Sequence, residues 1–268
     1  MLLLLTTAAQ AESGNAVHPF LTDKYMLEFG AFLPRIELTA GVDGSASDIN
    51  PDFDFEEQFG MSDSDDLASV DFGWRFYEKW SMHLMYFETG RSSTAVLQED
   101  VEFGDATFEQ GSSVTAGSSI DIMRLFFGRE FSKKENVSYG FGAGLHRLGL
   151  RMSLSGDVVV NGQTLVNETR AKGATAPLPD IGTWYYWSPS AKWLLGGRVD
   201  WLAASLGEYD GSLLDVAVGV DYQVSKHFGV GAKYQRFALD IAVDKSDWHG
   251  NVDISFSGAF IYLSANWN

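Results

Sequence analysis

Cysteine is absent from this sequence of 268 residues, and its absence excludes several kinds of site. Without thiols the chain can form no disulfide, carry no cysteine nucleophile and bind no metal through thiolate ligands. Basic residues are also scarce, because 19 Lys and Arg stand against 36 Asp and Glu for a net charge of −17. Nucleic-acid binding needs a basic face, so we expect no nucleic-acid partner.

Long apolar runs are lacking as well. No stretch approaches the roughly 18 apolar residues of a transmembrane helix, which excludes a helical membrane protein. Apolar residues nevertheless make up 45% of the chain, too many for a disordered acidic tail. The length fits a single large domain. A membrane β-barrel stays open, because its apolar residues alternate with polar ones.

Residues 1–11 are typical of the end of a secretory signal peptide. An apolar run at residues 2–5 is followed by Ala9-Gln10-Ala11, a small-residue cleavage pattern. No basic segment precedes the apolar run, so we expect the printed start to lie inside a longer leader. Residues 12–268 are predicted to form one exported domain.

Apolar and polar residues alternate with a period of two along the mature chain, as in strands with one apolar face. Leu214, Val216 and Val218, for example, share a face opposite Asp215 and Ala217. Counting strands between the polar connections predicts about ten, with eight as the alternative count. The predicted strands cover residues 25–40, 67–77, 80–94, 119–131, 137–155, 178–187, 193–206, 213–224, 228–243 and 251–267.

Short connections alternate with longer ones rich in Gly, Asp and Ser, which is the layout of a transmembrane antiparallel β-barrel with periplasmic turns and extracellular loops. The short turns lie at residues 78–79, 132–136, 188–192 and 225–227 and are flanked by aromatic residues. Such a girdle suits a membrane–water interface. It has no use in a soluble ligand-binding barrel, the alternative with the same alternation. We therefore predict an all-β membrane barrel.

Some strands exchange faces in mid-course. In residues 137–155 the apolar set passes from odd positions, ending at Leu145, to even positions from Leu148. Residues 228–243 change in the same way, and Pro34 interrupts the first strand. Because one extra residue exchanges the faces of a strand, the sequence predicts β-bulges at these places.

The face that carries charges and glycines is predicted to point into a narrow lumen, since Arg or Lys facing lipid costs about 2–4 kcal/mol at the midplane. The predicted lumen charges are Glu28, Asp71, Arg75, His83, Asp121, Arg124, Asp180, Arg198, Asp200, Asp215, Asp221, Lys233 and Asp240. They fit either a narrow solute path with a selective ring of charge or a plug of paired charges. Side chains fill small barrels completely, which favours the plug.

The acidic residues concentrate in two long connections, residues 43–66 and 95–118, which contain no Lys or Arg. Carboxylates are hard oxygen ligands, so weak Ca²⁺ or Mg²⁺ binding is an alternative to a simple solvated loop. The candidate ligands are Asp52, Asp54, Glu56, Asp63, Asp65 and Asp66. The sequence indicates no other cofactor.

The chain resembles the small bacterial outer-membrane β-barrel proteins, the broad OmpA/OmpW-like group, in its signal-like start and its final strand. That strand alternates up to Trp267, which Asn268 follows. In the group, the last strand usually ends in an aromatic residue that the barrel-assembly machinery is thought to read. The resemblance implies the outer membrane of a Gram-negative bacterium, with outer-membrane lipid, lipopolysaccharide and the assembly machinery as partners.

A structural or surface-interacting role is the function that the sequence favours, joined by weak passive permeation of small solutes if the lumen is open. The alternative is a protease or lipid-modifying enzyme active at the extracellular rim, as in the ten-stranded outer-membrane proteases. Asp247-Trp248-His249 is the sequence that mimics such a rim site. One Asp-x-His is a weak signal, so we expect no enzymatic activity.

Overall fold

The computed structural model describes residues 17–43, 53–54, 59–62, 67–103, 106–160, 162–206, 209–245 and 248–268. A 3₁₀ turn, Pro19–Leu21, precedes the first strand. The strands are β1 (Tyr25–Asp43), β2 (Phe53–Asp54), β3 (Leu67–Tyr77), β4 (Trp80–Val96), β5 (Val101–Phe103), β6 (Ala106–Phe108), β7 (Ser113–Glu130), β8 (Val137–Val160), β9 (Gln163–Ser190), β10 (Trp193–Leu206), β11 (Tyr209–Gln223), β12 (Phe228–Lys245) and β13 (Trp248–Trp267). No helix in this part of the chain is long and apolar enough to cross a membrane.

Ten long strands form a closed antiparallel barrel. β1 pairs with β3 on one edge and with β13 on the other, which closes the wall. The other long strands pair in chain order, with β4 beside β7. The short strands lie in the long connections: β2 pairs with β1, and the β5–β6 hairpin reaches β8. The predicted all-β barrel of ten strands is confirmed.

Each predicted strand coincides with one long strand, and several continue further outward than predicted. β8 and β9 form a hairpin that extends to Val160 and Gln163, well beyond the predicted strand ends at residues 155 and 178. The division into a leader, residues 1–11, and a barrel, residues 12–268, stays a prediction, because residues 1–16 lie outside the described part of the chain.

The wall has opposite polarity in its two halves. Near the short turns, the lower half, outward residues such as Ile261 and Leu263 are apolar and exposed. Further along the same strand, in the upper half, Asp253 points outward, while Ile254 and Phe256 are buried inside. The outer face therefore passes from apolar to polar, and the inner face from polar to apolar.

The β-bulges predicted in mid-strand are wrong. β8 keeps an unbroken register against β7 from Gly140 to Ser155, and β12 keeps one against β13 throughout. Pro34 lies within a continuous β1, opposite Gly258. The register shifts of the wall lie elsewhere, at residues 75–77, 156–158 and 193–195. Apolar residues change face because the surroundings of the wall change from lipid to water, not because the strand slips.

The upper half encloses an apolar core that the long connections cap. Ile36, Leu213 and Leu239 are among its buried wall residues. Phe59 and Phe108, which come from two different long connections, are almost completely buried at its outer end. The extracellular mouth is therefore covered by apolar side chains.

The segment before β1 occupies the periplasmic mouth. The ring of Phe20 packs edge-on against Tyr186 with centroids 5.1 Å apart. The backbone N–H of His18 donates to Ser188 Oγ at 2.8 Å, and the Arg75 guanidinium donates to the carbonyl of Phe20 at 3.3 Å. These contacts tie the start of the described chain into the barrel.

Candidate functional site

The predicted lumen charges lie almost all on the inward face of the wall. The residues found there are Glu28, Asp71, Arg75, His83, Arg124, Asp180, Arg198, Asp200, Asp215, Asp221 and Lys233. They alternate with the exposed apolar residues of the lower half, which places them at the depth of the lipid-facing band.

Asp121 and Asp240 are the exceptions, and their predicted place in the lumen is wrong. Asp121 lies on the outer face, where it forms an ion pair with Arg147 and is 26% exposed. Asp240 is exposed on the outer face of β12, opposite Asp253. Both belong to the upper half, where water surrounds the wall and polar side chains point outward.

A buried network of charges crosses the lumen at mid-height. Arg124 binds Asp200 with two hydrogen bonds, 2.7 Å from Nε to Oδ2 and 3.0 Å from Nη2 to Oδ1. Arg198 bridges two carboxylates, lying 2.6 Å from Asp200 Oδ2 and 2.8 Å from Asp215 Oδ2. Gln235 donates to the other oxygen of Asp215 at 2.9 Å. Every member has a partner, as buried charge requires.

His146 extends this network to a further carboxylate. Its Nδ1 lies 2.8 Å from Asp180 Oδ2, and its Nε2 lies 3.4 Å from Asp215 Oδ2. A carboxylate faces each ring nitrogen, so the doubly protonated imidazolium is the form that donates to both. With this form, three acids balance three bases in the network.

A second cluster of charges lies closer to the periplasm. Lys233 Nζ lies 2.6 Å from Glu28 Oε2 and 3.7 Å from Asp71 Oδ2. The same ammonium group lies 4.7 Å from the ring centroid of Phe260. The lysine is thus held by charge and by an aromatic face together.

Four phenylalanine rings lie directly above the mid-height network. Phe32 packs against Phe87 and Phe256 at 5.7 Å, and Phe237 stacks on Phe256 at 4.8 Å. The ring of His146 lies 6.0 Å from that of Phe237, so the charged and aromatic layers are in contact. We call these four phenylalanines the aromatic layer.

A small cavity opens below the network, toward the periplasm. Its volume is about 60 Å³, and Phe20, His83, Arg75 and Trp184 are among its lining residues. This space is enough for a few water molecules at most. The arrangement is that of a plug with a shallow vestibule.

Metal binding can be examined at one cluster in the described part of the chain, formed by His146, Asp200 and Asp215. Their ligand atoms lie within 4.8 Å of one another. Arg124 and Arg198 already contact these carboxylates, so a cation would have to displace a guanidinium. The cluster therefore fits an ion-pair network better than a metal centre.

The acidic-loop candidates for Ca²⁺ or Mg²⁺ cannot be placed in the same way. Asp52, Glu56, Asp63, Asp65 and Asp66 lie outside the described residues, and only the backbone of Asp54 is described, in β2. The side chains of the predicted rim site, Asp247 and His249, cannot be placed either. Asp247 lies outside the described residues, and His249 is described by its backbone alone, paired with Asp43 at the outer end of β13.

The outer face carries a groove just above the lipid-facing band. Its volume is about 510 Å³, and the outward residues Arg147 and Arg151 lie along it together with Asp121 and Glu88. Arg147 and Arg151 are two of the 19 basic residues of a strongly acidic protein.

Two members of the mid-height network, His146 and Gln235, were not predicted from the sequence. Counting alternate residues from Gly144 and from Lys233 places His146 and Gln235 on the inward face of the wall. The predicted bulges would have exchanged the two faces at these positions. The bulge predicted in residues 228–243 would likewise have kept Phe237, one member of the aromatic layer, on the outward apolar face. An assumption of unbroken strands would have placed all of these residues inside the barrel.

Comparison with known proteins supports the fold. No protein-family model matches the chain, and no curated protein sequence matches it. The crystal structure of the outer membrane protease OmpT from Escherichia coli superposes with a TM-score of 0.57 and 10% sequence identity, over 95% of this chain and 99% of that one.

Two other solved structures resemble it more loosely. The toluene transporter TodX of P. putida gives a TM-score of 0.36 at 8% identity, over 94% of this chain and 93% of that one. Ail of Yersinia pestis, in complex with the heparin analogue sucrose octasulfate, gives 0.30 at 11% identity, over 89% and 99%. The OmpT likeness concerns the fold, and it agrees with the closed ten-stranded antiparallel barrel described above.

Proposed function

We propose that this protein is a closed outer-membrane barrel with a structural or surface-interacting role, and that it conducts no solutes. The observation that supports this proposal is the aromatic layer, Phe32, Phe87, Phe237 and Phe256, lying across the lumen above the ion pairs of the mid-height network. An ion that crossed the layer would lose its hydration shell and find no polar group in return.

Conductance in planar bilayers tests this proposal. We expect the purified wild-type chain to give no ohmic steps above background, under conditions in which a general porin inserts and conducts. Proteoliposomes that contain the chain should retain a small entrapped dye. Reproducible conductance steps with the wild-type protein would overturn the closed-barrel proposal and would support weak permeation of small solutes instead.

The proposed partners are outer-membrane lipid and lipopolysaccharide around the wall, and the barrel-assembly machinery during insertion. Arg147 and Arg151 lie on the outer face just above the lipid-facing band, where they can contact anionic headgroups. For assembly, the outward, exposed Trp267 on β13 is the aromatic residue nearest the end of the chain. Replacing Trp267 with Ala should slow assembly in cells; unchanged assembly would remove it as a signal.

Rim catalysis is the alternative hypothesis. OmpT is a protease, but its likeness to this chain at 10% identity concerns the fold. The Asp247→Ala and His249→Ala variants decide the matter if the wild-type chain cleaves peptides or modifies lipid A. Loss of turnover in both would support a rim enzyme, and no wild-type turnover would dismiss it.

A further inference from the structure

Strand β9 carries Pro177 and Pro179 just above Ile181. Proline has no backbone N–H, and sheets admit it where its nitrogen faces no acceptor, as on an edge. Alternate residues of a strand turn their backbone groups toward the same neighbouring strand. Pro177 and Pro179 are two residues apart, so both missing N–H donors lie on the same edge of β9. Pairing with β8 continues through both prolines, so the edge that lacks these donors is the one that faces β10.

The ladder between β9 and β10 ends where these prolines begin. Trp201 and Ile181 are its outermost pair. Beyond it, β10 continues to Leu206 paired with β11, and β9 continues outward paired with β8. Within the described residues of the two strands, the wall therefore has a lateral opening above this pair.

A cleft of about 340 Å³ lies at the point where the strands part. Pro179, Ile181, Trp201 and Ala203 line it with outward apolar side chains. Behind it, Leu202 packs against the apolar core of the upper half. We call this space the lateral cleft.

The lateral cleft lies at the upper edge of the lipid-facing band. Pro179 is opposite Leu145, the last outward apolar residue of β8 before Arg147. Trp201 is opposite Leu214, which is exposed on the same face. Tryptophan at this height is typical of the membrane–water boundary. The cleft is thus continuous with the surface that contacts lipid.

We propose that the lateral cleft binds one acyl chain of an outer-leaflet lipid. An apolar space of this kind holds water poorly. Within a membrane the hydrophobic effect adds little, so the gain comes from close packing of the chain against Ile181, Trp201 and Ala203. Binding of this kind is independent of whether the lumen conducts.

A second copy of the protein is the competing occupant, because a free strand edge is a template for strand addition. Strand addition relies on main-chain hydrogen bonds. Pro177 and Pro179 remove donors from the edge at the level of the cleft. The apolar lining and the missing donors therefore favour a lipid chain over another strand.

Photo-crosslinking tests the proposal with the full chain in vesicles of phosphatidylethanolamine and phosphatidylglycerol, a fraction of which carries a diazirine on the acyl chain. We expect lipid adducts to concentrate on residues 177–181 and 201–203. Filling the cleft with Ala203→Trp should lower those adducts about tenfold, and Ala203→Leu serves if the larger side chain impairs folding.

The matched control is Ala259→Trp, which adds the same ring to the lipid-facing surface at the upper edge of β13. Ala259 is paired on both sides, with Leu33 and Tyr234, so no cleft lies beside it. Adducts at the cleft should be unchanged in this variant. Adducts spread evenly around the barrel, or unaffected by Ala203→Trp and Ala203→Leu, would overturn the proposal. Cross-links between the β9 strands of two chains would show that a second copy of the protein, and not a lipid, occupies the lateral cleft.

Discussion

Asp200 is the residue on which the mid-height network depends. It accepts from Arg124 and Arg198, and its side chain is 0% exposed. Removing its charge leaves two buried guanidinium groups sharing fewer carboxylates. The network is therefore sensitive to single changes, even though an equally well-packed apolar replacement of the whole cluster would cost little.

Asp200→Asn should destabilise the barrel by about 3–5 kcal/mol, the usual cost of breaking a buried ion pair. Denaturant unfolding of the protein in lipid vesicles measures it. The control is Asp121→Asn, which breaks an ion pair with Arg147 on the exposed outer face and should cost less than about 1 kcal/mol. Equal losses in the two variants would mean that burial does not decide the strength of these pairs.

Asp253 lies outside the lipid-facing band, opposite Asp240 on the outer face. Burial, with the nearby carboxylates of Asp240 and Glu37, raises the pKa of Asp253 above its ordinary value. A raised pKa in the folded state favours the protonated form. The folded state therefore gains relative stability in acid and loses it as the pH rises through the folded pKa.

Asp240→Asn should consequently stabilise the protein at neutral pH by about 0.3 kcal/mol, since exposed like charges repel only weakly. The gain should shrink as the pH falls through the raised pKa of Asp253, because the protonated carboxyl no longer repels Asp240. Unfolding midpoints at neutral and acidic pH measure both values, with Glu135→Gln as an exposed control. A gain that persists in acid would show that repulsion is not its cause.

At the scale of the element, inward glycines make room for large side chains in the lower half. Gly140 on β8 lies beside Trp184 of β9, and a methyl group there would clash with the backbone carbonyl oxygen of Arg129 and lie 2.5 Å from the indole ring. A hydrogen bond of 3.0 Å from Trp184 Nε1 to Ser138 Oγ holds the ring in place. The ring cannot turn away without losing that bond.

Gly140→Ala should therefore destabilise the barrel by about 1–3 kcal/mol, as overpacking does. Gly90 on β4 has no atom within 4 Å of an added methyl group, so Gly90→Ala should be neutral or slightly stabilising. Thermal unfolding followed by near-ultraviolet circular dichroism compares the two. A similar shift in both variants would indicate a backbone effect instead of a packing effect.

The strands themselves were predictable because alternation and turn chemistry are local. β3 and β10 have the predicted bounds, residues 67–77 and 193–206. Faces in the upper half were not predictable from alternation alone, because a strand that leaves lipid exchanges its polar and apolar sides just as a bulged strand does. Contacts such as His146 with Asp215 join distant strands, and no local pattern encodes them.

At the scale of the whole molecule, the groove at Arg147 and Arg151 should contact anionic headgroups of the outer leaflet. Reversing two charges with Arg147→Glu and Arg151→Glu should weaken binding of lipopolysaccharide by roughly thirtyfold or more, because losing the attraction alone costs about 1 kcal/mol per basic residue near an anionic surface. Retention of lipopolysaccharide through purification measures this. Lys133→Glu with Lys134→Glu, in an exposed short turn, is the control and should change nothing.

The exchange of polarity between the two halves also fixes how deeply the protein sits. Arg35, Arg147 and Arg236 point outward just above the last apolar residues of their strands. Sinking would carry these side chains from the boundary toward the midplane, where each costs about 2–4 kcal/mol, while rising would expose Ile261 and Leu263 to water. Displacement of the barrel in either direction along the membrane normal is therefore unfavourable. Because the arginines and the apolar band fix the depth of the barrel, a membrane that becomes thinner or thicker must deform around the protein.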